Sequence, residues 1–312
     1  MKKIFINPGW GRTAGTTLRE MYGQHSQICT IARPWNTKTK KFIYELLKNE
    51  GGNYNHSLVS NMIHEFDCGD DKTYILSDEN ILDGYNVQPN TNAIYIYANR
   101  MKKLFEDPHI FLTLRNQLTW ISSFYSNCGR VLRGVPKPFD GRHVELIPWL
   151  EWQLDNGERS FFDLIDYNKY VKMFIDIFGK NRVHIFLYED FVNQKKDFIS
   201  TLSSLMQIDE IEAFDLINNQ HLNPQDSKRL VTYLKFREKF PHGLSLHERI
   251  PGGKKIVKKL NYYLKKGPPM EKIKLPDKWH SLLYNYYKEG NNELSKNFDI
   301  QEKFIEYGYP SL

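Results

Sequence analysis

Cysteine is scarce in this sequence. Cys29, Cys68 and Cys128 are its three cysteines, widely spaced and odd in number, which fits neither a disulfide framework nor a zinc-ligand spacing. We expect them to be reduced and structural. Long hydrophobic runs are missing too, since no stretch approaches the roughly 18 apolar residues of a membrane span. The opening Met1-Lys2-Lys3-Ile4-Phe5-Ile6-Asn7 has too short an apolar stretch for a secretory signal, so a cytoplasmic protein is expected. Clustered His/Cys ligands, internal repeats and low-complexity tracts are also absent from the sequence, and no metal is implied.

What is present is an ordinary folding composition: 312 residues, 40% hydrophobic, 14% aromatic and 26% charged. The net charge of +6 is unevenly placed. Between Lys254 and Lys274 eight lysines stand against one acid, Glu271, an excess larger than that of the whole chain. Such a run reads as a solvated basic face or as a basic lip over an anionic ligand. No recognised nucleic-acid motif accompanies it, so nucleic acid is not an expected partner.

Along the first two-thirds, short apolar, β-branched or aromatic runs alternate with helical spacing. Lys3–Asn7, Gln27–Ala32, Thr73–Ser77, Ile110–Leu114 and Val183–Tyr188 read as buried strands. Leu164, Tyr167, Val171, Phe174 and Phe178 recur at helical steps before Gly179, a suitable C-cap, and Phe198, Leu202 and Leu205 repeat the pattern. Such alternation predicts an α/β fold of P-loop-like, three-layer type. It has a central, mostly parallel sheet of about five strands with helices on both faces. Beyond about Asn218 Pro224, Pro241, Pro251, Gly252-Gly253 and Pro268-Pro269 break the chain, and a last helix is expected from about Trp279 to Phe298. The expectation is a single domain over residues 1–312, with a core of about 1–217 and an extension of about 218–312 packed on it.

One segment carries chemistry by its context. Asn7-Pro8-Gly9-Trp10-Gly11-Arg12-Thr13-Ala14-Gly15-Thr16-Thr17-Leu18 follows a strand and precedes a helix beginning Leu18-Arg19-Glu20-Met21-Tyr22. Free N–H groups and the positive dipole end of a helix start favour a phosphate there. Gly15 allows close backbone approach, Thr13, Thr16 and Thr17 offer hydroxyls, and Arg12 supplies a permanent cation. A Walker A loop is excluded. The second glycine would fall at Ala14 counting from Gly9, or at Thr16 counting from Gly11, and the lysine is missing.

Arg12-Thr13-Ala14-Gly15-Thr16-Thr17 resembles the 5′-phosphosulfate loop of sulfotransferases that use 3′-phosphoadenosine-5′-phosphosulfate (PAPS). It is similar to the Lys-Thr-Gly-Gly-Thr-[Thr/Ser] form of carbohydrate sulfotransferases, with Arg12 in place of lysine and Ala14 in place of a glycine. His109–Tyr125 resembles the family's 3′-phosphate motif. A hydrophobic strand ends in Arg115, and Ser123 follows eight residues later, with Gln117 where proline is usual. An arginine at a strand's carboxyl end lies where open α/β sheets bind ligands, and it can hold a phosphate bidentately. Ile75–Asn80 looks like the family's strand ending in Ser-x-Glu, and Arg182–Phe191 like its strand ending in Tyr-Glu-Asp. His221-Leu222-Asn223-Pro224 and Tyr307-Gly308-Tyr309-Pro310 are similar to segments of bacterial members. Arg130–Arg159 matches nothing in the family, and acceptor recognition is expected there.

The resemblance implies PAPS as donor, 3′,5′-adenosine bisphosphate (PAP) as product, no metal, and a hydroxyl acceptor, expected to be a glycan. It implies Arg12 at the bridging oxygen, N–H groups of Ala14–Thr17 on the 5′-phosphate, and Arg115 with Ser123 on the 3′-phosphate. In-line transfer also needs a general base. Glu79 is the first candidate, with Asp78, His25 and His64 behind it. Trp35 is a candidate for stacking on sugar rings, whereas Trp149 and Trp152, three apart on an apolar helix, read as core. The alternatives are a nucleotide- or anionic-glycan-binding P-loop-like protein, either kinase-like or without catalysis.

Overall fold

Period-two alternation along the strands supplies apolar side chains to two separate cores. Ile6, Leu76, Ile110, Leu112 and Leu114 enter one hydrophobic cluster, while Phe5, Ile75 and Phe111 enter the other. The computed structural model describes residues 3–31, 37–47, 54–66, 68–69, 71–83, 91–126, 143–156, 160–219, 227–238, 259–260, 262–268 and 273–312. Strands β1 (Ile4–Asn7), β2 (Ile28–Thr30), β3 (Thr73–Ser77), β4 (His109–Leu114) and β5 (Val183–Leu187) form one sheet in the order β2-β3-β1-β4-β5. Every pairing is parallel, as Ile6 opposite Leu76 and Ile110 opposite Val183 illustrate. This is the three-layer α/β architecture expected from the sequence.

The first helices are α1 (Gly15–Gln24), α2 (Thr37–Leu46), α3 (His56–His64), α4 (Asn80–Asp83), α5 (Thr91–Leu104) and α6 (Gln117–Phe124). Then come α7 (Leu146–Asp155), α8 (Phe161–Leu164), α9 (Tyr167–Phe178), α10 (Tyr188–Asn193), α11 (Lys195–Met206), α12 (Glu210–Asn218) and α13 (Lys228–Glu238). After these come α14 (Asp277–Asn297) and α15 (Gln301–Glu306). Helices α1, α11 and α12 cover the face that carries Phe5 and Phe111. Helices α2, α3, α5, α6, α7, α9 and α14 bury residues against the other. The chain leaves β1 for β2 and β3 on one side, then crosses to β4 and β5 on the other. This order places the topological switch, where open sheets bind ligands, at the carboxyl ends of β1 and β4.

The structure corrects several expectations. Cys29 on β2 and Cys68 ahead of β3 are joined in a disulfide with a Cα–Cα distance of 5.9 Å, so these two are not reduced thiols. Sequence spacing hid the pair because their 39-residue separation is closed only when β2 aligns beside β3. Leu164 belongs to α8 rather than to the long helix, since Asp166 caps α9 through its side chain. Tyr188 opens α10 instead of ending β5. The expected final helix runs as α14 and packs on α6 and α9. Trp149 is fully buried and Trp152 packs against the same core. Trp35, Cys128, His221–Pro224, 130–142, 157–159 and half the lysines of the basic run lie outside the described residues. Among the described residues no helix is long and apolar enough to cross a membrane.

Candidate functional site

The turn from β1 into α1 is strained. Gly9, Arg12 and Ala14 have φ of 52°, 68° and 65°, and the left-handed region costs a residue with a Cβ about 1–2 kcal/mol. Such strain persists where surroundings enforce it, and here three successive carbonyls of the turn are held. Thr13 Oγ1 donates to Trp10 O at 2.6 Å, Trp120 Nε1 to Gly11 O at 2.7 Å, and Arg115 Nη1 to Arg12 O at 3.0 Å. The Trp10 indole N–H is in turn anchored on Leu164 O at 2.8 Å. Occupying these lone pairs removes acceptors that would repel an anion.

Helix α1 starts at Gly15, three residues earlier than the sequence pattern suggested, because Ala14 serves as its left-handed N-cap. Leu18 N–H donates to Ala14 O at 3.0 Å, so the N–H groups of Gly15, Thr16 and Thr17 have no carbonyl of α1 to reach. No side chain caps this end, and no acid stands in its first turn. The residues expected to cradle a phosphate, Ala14, Gly15, Thr16 and Thr17, are thus at an open helix start. Thr13, by contrast, is buried, with its hydroxyl committed to Trp10 O.

Strand β4 delivers the second motif. Arg115 follows its last residue, and its peptide is gripped on both sides by the buried Tyr167. The Tyr167 hydroxyl donates to Arg115 O at 2.7 Å and accepts from Arg115 N–H at 3.3 Å. Besides Arg12 O, the guanidinium reaches Thr119 Oγ1 at 3.2 Å and lies 4.5 Å from the centre of the Tyr188 ring. Burial pulls the Arg115 pKa below the usual arginine value, opposed by Tyr188 and Glu189. Asn116 then caps α6 through Leu118 N–H, and α6 presents Ser123. Arg12 Nε donates to Ser123 Oγ at 3.1 Å. The two motifs, separated by 111 residues, therefore meet directly. A cavity of about 790 Å³ opens beside them, lined by Arg115, Thr119, Ser123, Tyr188 and Leu275 and by Lys274 of the basic run.

The base candidates are dispersed. Glu79, just past β3, accepts from Arg19 Nη2 at 3.2 Å. Asp78 is buried and accepts from the backbone and side-chain nitrogens of Asn80 at 2.9 and 2.6 Å. His25 is buried at the far end of α1, its Nε2 3.0 Å from Asp209 O. Ten helical residues at about 1.5 Å each separate it from the start of α1. His64 is exposed at the end of α3, the helix that returns toward the start of β3. Asp78 N–H donates to Asn7 O at 3.2 Å, and the Glu79 carboxylate is tied through Arg19 to Thr16 of the loop.

Arg19 is the residue that sequence reasoning missed. Its side chain is 7% exposed, and Nη2 also donates to Thr16 Oγ1 at 3.3 Å. A Cβ on Gly15 would stand 3.2 Å from Arg19 Nη1, so the missing side chain of Gly15 makes room for this guanidinium. The available clue was the i, i+4 spacing of Gly15 and Arg19.

No family model and no curated protein matches the sequence. Among solved structures, a sulfotransferase from Alicyclobacillus acidocaldarius is similar at 15% identity and a TM-score of 0.47, covering 67% of this chain and 82% of that one. The sulfotransferase domain of the Synechococcus PCC 7002 olefin synthase is 13% identical, with a TM-score of 0.44 and coverage of 84% and 95%. The sulfotransferase domain of the curacin biosynthetic pathway is 16% identical, with a TM-score of 0.39 and coverage of 70% and 78%. With identities and scores this low, the chemistry rests on the residues described above.

Proposed function

We propose that the protein is a sulfotransferase that moves a sulfuryl group from PAPS to an acceptor hydroxyl, with a glycan as the acceptor class. The observation that carries this reading is the meeting of two anion motifs at the sheet's topological switch. The open start of α1 suits a 5′-phosphate, and Arg115 with Ser123, joined to the loop through Arg12, suits a second phosphate on the same nucleotide. An ordinary nucleoside triphosphate would leave that second site empty. The loop's likeness to the carbohydrate sulfotransferase form supports the glycan assignment.

In this reading Arg12 neutralises charge developing on the bridging oxygen as the donor S–O bond breaks and the acceptor O–S bond forms. The N–H groups of Gly15–Thr17 keep the leaving phosphate in line. Glu79 takes the proton released by the acceptor hydroxyl. Its ion pair with Arg19 supports a second role as well, a tie between the end of β3 and the start of α1. Glu79→Gln separates the two. A base role predicts normal nucleotide affinity with turnover down at least 100-fold, whereas a purely structural role predicts a lower melting temperature with turnover retained.

The donor assignment is tested by thermal shift. At one hundred times its dissociation constant PAP should stabilise the protein by about 2.7 kcal/mol, and ATP at equal concentration far less. Equal shifts, or none, would remove the assignment.

A further inference from the structure

The donor reading gives no role to Glu189, Asp190 or the segment Tyr307–Pro310, although Glu189 and Gly308 line the cavity, and the two segments are bound together. Each residue of the run has its own partner. The Tyr188 ring lies against the Arg115 guanidinium. Asp190 accepts from Tyr307 Oη at 2.8 Å and from Lys303 Nζ at 2.7 Å. Glu189 stands between them, accepting Asn116 N–H on Oε1 at 3.0 Å and the Tyr309 hydroxyl on Oε2 at 2.8 Å. Asn116 closes the circuit, because its Nδ2 donates to Tyr307 O at 3.0 Å and to Gly308 O at 2.6 Å. Asn291 adds a brace from α14, exchanging hydrogen bonds with Gln117 and donating to Pro310 O at 2.8 Å.

Asn116 directly follows Arg115. Its N–H, its side-chain amide and its cap on α6 are all fixed by this circuit, and α6 carries Thr119 and Ser123 into the cavity. Gly308 itself lines that cavity. Tyr309 is buried, and its ring stacks on Phe304 with centroids 4.2 Å apart, so its hydroxyl has one orientation to offer. Burial raises the Glu189 pKa above the usual carboxylate value, with the hydrogen bonds from Asn116 and Tyr309 opposing the shift. A carboxyl group this near a phosphate site would repel the ligand if it faced it. Here both oxygens are turned to the Asn116 peptide and the tyrosine.

We infer that Tyr309 and Glu189 are positioning residues for the second anion site. The segment Tyr307–Pro310 sets the Arg115–Asn116 turn, and through it the affinity for a phosphate held by Arg115 and Ser123. This inference rests on the donor reading and adds a residue pair outside both phosphate motifs. A precisely held guanidinium gains most from a bidentate phosphate, and small displacements of its peptide are felt as lost affinity.

The test compares dissociation constants for PAP and adenosine 5′-monophosphate, which differ by the 3′-phosphate, in the full chain and in Tyr309→Phe, Glu189→Ala and Glu189→Gln. The expected result is a monophosphate constant unchanged within about twofold in Tyr309→Phe. The preference for PAP should fall at least fivefold there and in Glu189→Ala, and Glu189→Gln, which keeps an acceptor for Asn116 N–H, should recover part of it. A purely structural role would lower the melting temperature and leave the preference intact. If the unaltered protein prefers PAP and folded Tyr309→Phe keeps that preference within twofold, the inference is overturned while the donor reading stands. If the unaltered protein shows no preference, both fall.

Discussion

The guanidinium of Arg12 donates to the hydroxyl of Ser123 at 3.1 Å across 111 residues of sequence. Neither residue reaches its position alone. Arg12 sits in a left-handed turn held by Trp120 and Arg115, and Ser123 rides on a helix capped by Asn116. Residues that share one hydrogen bond and one ligand do not act additively. A double-mutant cycle of Arg12→Ala and Ser123→Ala, read as PAP affinity, should show a coupling energy of about 1 kcal/mol or more. Additivity within about 0.3 kcal/mol would show that the contact does not matter to binding.

Ala14 lies at φ 65° as the N-cap of α1. Ala14→Gly removes the penalty on a Cβ in that region, about 1–2 kcal/mol, and glycine's greater freedom in the unfolded chain returns part of it. The variant should gain roughly 0.5–1 kcal/mol in urea denaturation, seen as a higher midpoint at constant slope. A lower midpoint would contradict the strained turn.

The disulfide between Cys29 and Cys68 closes a loop of 39 residues' separation. In the chain-entropy account a cross-link of this span stabilises by about 4 kcal/mol. Reductant should therefore lower the melting temperature of the protein. Cys29→Ser should abolish that sensitivity, and Cys128→Ser should leave it. Three free thiols in the denatured, unreduced protein would refute the bond.

At the opposite edge of the sheet, Arg182 Nη1 donates to His109 Nε2 at 2.7 Å, which assigns the remaining proton of His109 to Nδ1, 2.8 Å from His184 Nε2. His184 must then accept. Burial, with His109 and Arg182 nearby, depresses its pKa from 6.5 to about 4. The native state thus binds fewer protons than the unfolded state. Stability from this site is present above about 6.5 and is lost as pH falls towards 4. His184→Asn should flatten the decline in melting temperature over that window, and an unchanged slope would assign the acid sensitivity elsewhere.

Much of this was legible in the sequence, and the rest was hidden for identifiable reasons. The five strands read correctly because buried parallel strands are continuous apolar runs, and Ile110–Leu114 could hardly be anything else. Arg115 and Ser123 were singled out by the resemblance to a family motif, and the structure sets both on the wall of one cavity. The start of α1 was misjudged because Gly15, Thr16 and Thr17 have weak helix propensity, and tertiary contacts overrode it. The glycine expected at position 14 becomes intelligible only once its left-handed φ is seen. Arg19 went unassigned although its i, i+4 spacing from Gly15 was visible, because its contact with Glu79, 60 positions away, arises only once β3 lies beside β1. The Cys29–Cys68 bond and the Glu189–Tyr309 contact are long-range, and no spacing rule connects residues separated by 39 or 120 positions.

The central claim is that one nucleotide bearing two separate phosphates bridges the start of α1 and Arg115. Calorimetric titration of PAP and adenosine 5′-monophosphate into the protein and into Arg115→Ala tests it most directly. The account predicts that PAP binds the unaltered protein at least tenfold more tightly, about 1.4 kcal/mol, and that Arg115→Ala abolishes this margin while still binding the monophosphate. A margin that survives Arg115→Ala, or one that is absent from the start, would contradict it.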